Sequence, residues 1–114
     1  MNQTIYIRLM QAAKEGKFVN YSDLSAAISL GLTDAAAVNA LNVILEEIAD
    51  HELTNDRPLL AAITVNENTN MPGSGLFSYA KRKGLMKPKD KDNLTFFLTE
   101  AKRVHAYWAS HASV

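Results

Sequence analysis

Between residues 35 and 48 the chain places Ala37, Leu41, Ile44, Leu45 and Ile48 on one face of a helix, and Ala36, Ala40 and Val43 widen that face over much of the circumference. A helix apolar over so wide an arc reads as the centre of a fold, with other elements packed on more than one side of it. At 114 residues and 47% hydrophobic content there is material for one core around that helix and not for two. The chain has no cysteine, which removes disulfides, thiolate metal sites and cysteine nucleophiles together.

The flanking segments supply the packing partners. Ile5, Leu9, Met10 and Ala13 share a face over residues 4–15, with Thr4 as a cap and Gly16 where the helix stops. Residues 17–21 are short and β-prone, and Ser22-Asp23 can cap a second helix carrying Leu24, Ala27 and Ile28 to near Gly31. Thr33 or Asp34 caps the central helix, and an acidic loop is expected over 51–56. The apolar run 59–65 lacks alternation and suits a strand covered on both faces, broken by turn residues at 66–70. Met71-Pro72-Gly73-Ser74-Gly75 then leads into a short helix over about 76–83, closed by Gly84. After a hydrophilic linker, Leu94, Phe97, Leu98, Ala101, Val104 and Trp108 recur at helical spacing in a last helix, 94–111. The expected fold class is α+β and mostly helical: one winged-helix-like domain over 1–114, with a short two- or three-stranded sheet and a C-terminal helix.

The run Gly16-Lys17-Phe18-Val19-Asn20-Tyr21-Ser22-Asp23-Leu24 resembles the G-x-x-V-x-Y-x-x-L segment of alkylguanine-DNA alkyltransferases and alkyltransferase-like proteins, and a looser similarity of order and spacing extends to about Met86. An Ala-rich third helix, Pro58 before an apolar strand, and Gly73-Ser74-Gly75-Leu76 before a basic helix follow in the same sequence as in that family. The resemblance implies a winged-helix domain that handles DNA, with Tyr21 at the position of the tyrosine that helps rotate a target nucleotide. Two departures remove the family's chemistry. Ala62-Ile63-Thr64-Val65 stands where the family has Pro-Cys-His-Arg, so no alkyl acceptor exists, and Ala36 stands nearest the arginine that replaces the flipped nucleotide. A tyrosine packed between strand and helix is the plainer reading of Tyr21. The segments around 57–66 and 71–77 are also similar to small uncharacterised bacterial and phage proteins, a likeness that supplies no activity.

Charge narrows the candidates further. Twelve Lys and Arg balance twelve Asp and Glu overall, but three bases stand against eight acids over 1–56, a balance of −5, and nine against four over 57–114, a balance of +5. The third helix carries Asn39 and Asn42, amides able to pair with adenine, yet no Lys or Arg; Asp34, Glu46, Glu47 and Asp50 would repel phosphates. Solvated asparagines are the simpler alternative. The better cationic candidate is Lys81-Arg82-Lys83 with Lys87, Lys89 and Lys91, diluted by Asp90 and Asp92. Tyr79, Arg82 and Lys83 share a helix face that could hold a phosphate backbone or stack on an unpaired base. Gly73, Ser74 and Gly75 form either a structural turn or, at the start of a helix, a phosphate contact.

Other function classes find no support in the residues. There is neither a P-loop nor a dinucleotide fingerprint, Ser74 is not in a G-x-S-x-G elbow, and Glu46-Glu47 are adjacent rather than convergent. His105 and His111 lie six apart, on different faces of a helix, so one helix cannot aim both at a single metal ion. The expectation is therefore a non-enzyme without cofactor or metal, cytoplasmic, with no membrane segment. Its leading reading is a nucleic-acid-binding domain using Tyr21, Asn39, Asn42, Gly73, Ser74, Gly75, Tyr79, Lys81, Arg82 and Lys83 within a basic 73–91 segment. The rival is a protein-interaction module, of phage or mobile-element type, using an acidic surface or the aromatics Phe96, Phe97, Tyr107 and Trp108 of the last helix. The plainer alternative is that this helix closes the core, and both hold in a homodimer whose terminal helices pack across a two-fold axis.

Overall fold

The computed structural model describes residues 1–27, 35–87 and 92–111. It is mostly helical. In chain order come α1 (Gln3–Lys14), β1 (Val19–Asn20), α2 (Tyr21–Ala27), α3 (Ala35–Thr54), a 3-10 turn (Leu60–Ile63), β2 (Thr64–Val65), α4 (Ser74–Arg82) and α5 (Asn93–Ser110). The two strands pair in parallel, Val19 opposite Thr64 and Asn20 opposite Val65. This small sheet and the helices give an α+β fold. Among the described residues there is neither a third strand nor an antiparallel hairpin of the kind a wing requires.

Three helices end in the same way, and the device explains where the chain turns. At α1, Gly16 takes a positive φ, its N–H donates to the Ala13 carbonyl and that of Lys17 to Ala12. Gly84 does the same after α4, with Leu85 donating to Ala80. At α3 the left-handed position is occupied by Asp56, one of the few side chains that tolerates it, and Arg57 donates to the Glu52 carbonyl. The helix therefore consumes most of the acidic loop expected at 51–56, running on to Thr54. At the other end of α1 the cap is Asn2, whose Oδ1 accepts from Ile5 N–H at 3.0 Å, so the helix begins ahead of the expected Thr4. The expected caps Thr33 and Asp34, and Ile28 and Gly31 of the second helix, lie outside the described residues.

The apolar run 59–65 is wholly buried, as expected, but only its last two residues are strand. Leu60–Ile63 coil into a 3-10 turn among α1, α3 and α5. Because β1 offers two residues of ladder, a longer strand would leave buried amides unpaired; the 3-10 turn answers them locally, and Leu59 N–H is taken by the Glu100 carboxylate at 2.9 Å.

Helix α5 closes the core with Phe96, Phe97, Ala101, Val104 and Trp108. Its inward stripe is rotated from the expected one: Phe96 turns in to meet Phe77 of α4, ring centroids 6.4 Å apart, while Leu94 and Leu98 are left exposed. The aromatics Phe96, Phe97 and Trp108 are therefore buried in this chain's own interior, as the core-closing alternative has it, while Tyr107 is half-buried. Asp92 caps α5 by accepting from Thr95 N–H at 2.8 Å, and this hydrogen bond holds its carboxyl below the usual aspartate range. A depressed folded pKa means the cap acts fully above the unfolded value of about 4 and is lost as pH falls through the folded one. Exchange protection of the Thr95 amide is expected to drop over that acid window, and in Asp92→Ala to be low at every pH. Among the described residues no helix is long and apolar enough to cross a membrane.

Candidate binding cleft

Tyr21 is the first residue of α2, directly after β1, and its position is fixed by the sheet that precedes it. Parallel pairing with β2 aims the chain so that the Tyr21 hydroxyl meets the segment following β2: Gly73 N–H donates to it at 2.8 Å. Gly73 is the N-cap of α4, and a β-carbon there would stand 3.4 Å from the Tyr21 oxygen. Two residues further, a β-carbon on Gly75 would sit 3.6 Å from the Asn42 carboxamide of α3. The first turn of α4 thus lies close to Tyr21 on one side and to α3 on the other, at distances where a β-carbon would make ordinary van der Waals contact.

The result is a cleft of about 290 Å³. Its walls are Tyr21, Asn66, Gly73, Ser74 and Gly75; α3 contributes Val38, Leu41 and Asn42. Tyr21, Asn42 and Gly75 also border a smaller hollow between α3 and α4, reaching Leu45, Ala49 and Tyr79. Among the described residues, none that lines the larger cleft carries a charge. Burial, partly offset by the Gly73 hydrogen bond, raises the Tyr21 pKa, so the hydroxyl keeps its proton at neutral pH. Losing that hydroxyl in Tyr21→Phe leaves Gly73 N–H unpaired and is expected to cost about 1 kcal/mol in urea unfolding.

The cationic turn stands differently from its expected role. Tyr79, taken from sequence as an exposed stacking ring, is buried, and its hydroxyl donates to Asp50 at 2.5 Å. Burial and that carboxylate raise its pKa far above the usual tyrosine value. Arg82 pairs with Glu46, Lys83 lies 3.6 Å from Asp50, and both cations sit 5.7 Å from the Tyr79 ring. The face of Tyr79, Arg82 and Lys83 is real, but it is turned onto α3, whose Glu46 and Asp50 are four residues apart and meet it as a row. Two features weighed oppositely in the sequence, the acids of α3 and the bases of α4, largely cancel each other. Lys81 is exposed and makes no ion pair among the described residues, and Lys87 donates to the Gly84 carbonyl. Lys89, Asp90 and Lys91 lie outside the described residues. Asn39 is exposed on α3, close in sequence to the cleft residues Val38 and Asn42.

Of the ten sequence candidates, the structure gathers Tyr21, Asn42, Gly73, Ser74 and Gly75 at one place and assigns Tyr79, Arg82 and Lys83 to α3–α4 packing. Val38, Leu41 and Asn66 were missed. The signal for Asn66 was its place as the first turn residue after the apolar run; Leu41 was absorbed into the apolar arc of α3, and Val38 was not singled out. Among the described residues no three His, Asp or Glu side chains are grouped to hold a metal ion. His105 hydrogen-bonds the Lys17 carbonyl, His111 the Tyr107 carbonyl, and His51 packs edge-on to Tyr6. We found no match to this chain among protein-family models, curated proteins or solved structures.

Proposed function

We propose that this chain is a non-enzymatic protein-interaction module, residing in the cytoplasm, that receives a segment of a partner protein in the cleft between α3 and the start of α4. The observation that carries the reading is the neutrality of the site. A cleft uncharged among the described residues, with Leu41 as its floor, exposed Val38 at its edge, and amide and hydroxyl groups around them, has the composition of an interface centre, where charged residues are depleted. The paired cations beside it argue the same way: Arg82 and Lys83 already have carboxylate partners, and a phosphate would have to displace them.

A photoreactive amino acid at Ser74 tests this in the protein's native host. One discrete protein adduct is expected, disappearing when Gly75→Leu fills the cleft and missing when the probe stands at exposed Lys102. Equal adducts from both positions, or an adduct with nucleic acid, would overturn it.

A second reading keeps the cleft and changes the ligand. The two segments that carry the alkyltransferase resemblance, around Tyr21 and around Gly73, meet at a 2.8 Å hydrogen bond, which favours an unpaired base as occupant, with Asn39 and Asn42 beside it and Lys81 toward the phosphates. A homodimer through α5 has Leu94 and Leu98 as its exposed apolar contacts.

A further inference from the structure

Resting on the cleft as a protein-binding site, we infer that its occupant is an extended, uncharged segment recognised through its main chain: Tyr21 donates to a backbone carbonyl of the partner and Asn42 accepts a backbone N–H. The Tyr21 hydroxyl takes a hydrogen bond from Gly73, yet among the described residues nothing accepts its own proton. The Asn42 carboxamide lies against Gly75, half-buried at the cleft, and makes no side-chain hydrogen bond among the described residues, so its N–H donors and its oxygen acceptor are open to a ligand. A free hydroxyl proton beside a free carboxamide matches the peptide unit, which carries one acceptor and one donor. A phosphate could accept from both groups, but no cation among the described lining residues would meet its charge.

The choice between a peptide and a nucleobase, which also mixes donors and acceptors, turns on what each brings with it. Every nucleotide carries a phosphate, and among the described residues the walls of the cleft offer no cation to meet it. A peptide main chain is neutral along its length. Its neighbouring side chain would lie on Leu41 and Val38, the apolar surface of the same cleft, so one apolar residue in the segment completes the fit.

The probe is a displayed library of random peptides, selected on the wild-type protein and counter-selected on Gly75→Leu, with circular dichroism confirming that the variant is folded. Expected winners are uncharged, share one apolar position, and lose at least tenfold in affinity when one particular backbone amide is N-methylated. Asn42→Leu is expected to bind them weakly and to be indifferent to that methyl group, since the acceptor it would block is already gone. Cleft-dependent peptides that tolerate methylation at every position, or that are chosen for a charged side chain, would overturn main-chain recognition and leave the cleft as a protein-binding site. If no peptide depends on the cleft, or if a single-stranded oligonucleotide displaces those that do, the protein-binding reading itself falls.

Discussion

Arg57→Ala is expected to destabilise the protein by about 3–5 kcal/mol, among the largest effects of any single exchange in the chain. Glu52 is completely buried, and Arg57 answers it with an Nε bond of 2.6 Å and a second contact through Nη2. Tyr6 donates to the other carboxylate oxygen at 3.2 Å. Burial works against the Arg57 cation, but the hydrogen bond and charge of Glu52 outweigh it and raise its pKa. Deleting the guanidinium strands a carboxylate in the core without its counter-charge, and the cost is that of an uncompensated buried ion rather than of a lost contact. The double exchange Glu52→Leu with Arg57→Met removes both charges and is expected to recover most of the loss. Urea unfolding checks both; a single-variant loss below about 1 kcal/mol would show that water reaches the pair.

Trp108→Ala comes next, at about 3–4 kcal/mol. The ring is 7% exposed, lies edge-on to Tyr6 and Tyr107 at 6.5 and 5.2 Å, and has the Arg57 guanidinium 6.0 Å from its centroid. Truncation opens a cavity where α5 meets α1 and removes a cation–π contact at the same time. Because Trp108 and Arg57 touch, their losses should not add, and a double-mutant cycle is expected to show coupling of about 0.5 kcal/mol or more. If Trp108→Ala changed only the mass in sedimentation and not the unfolding midpoint, the ring would belong to an interface between copies.

The helices were legible because their signals are local. Apolar spacing and the glycines at 16 and 84 mark where α1 and α4 run and stop, and the wide apolar arc of α3 marks the centre. The errors are of one kind: each depended on what another part of the chain supplies. The run 59–65 looked like a strand until the length of its ladder partner was known. Acids over 51–56 looked like a loop, whereas Glu52 is a core residue whose partner, Arg57, the helix end itself delivers. Leu94 and Leu98 fitted the helical period as well as Phe96 did, and the position of Phe77 decided between them.

The site shows the same division. Tyr21 and the Gly73–Gly75 turn could be singled out one by one, since a tyrosine after a strand and two glycines before a helix are visible in any reading. That they share a cleft follows from the parallel pairing of β1 with β2, which no local pattern encodes. Tyr79, Arg82 and Lys83 were placed on the correct helix face, but whether that face meets solvent or α3 depends on Glu46 and Asp50, some thirty residues away in sequence.

Arg82 and Lys83 of the positive turn of α4 are paired with Glu46 and Asp50 of α3, beside the cleft proposed for a protein ligand. Fluorescence anisotropy with random single- and double-stranded DNA, titrated at about 100 mM salt, addresses this pairing directly, with Glu46→Gln/Asp50→Asn run alongside wild type. The wild-type protein is expected to show no saturation below about 0.1 mM, the weak end of non-specific binding, and the double variant, its cations released, to bind more tightly and with a clear salt slope. Sub-micromolar binding by wild type that weakens steeply with salt would contradict the account and return Lys81, Arg82 and Lys83 to a phosphate-contacting role.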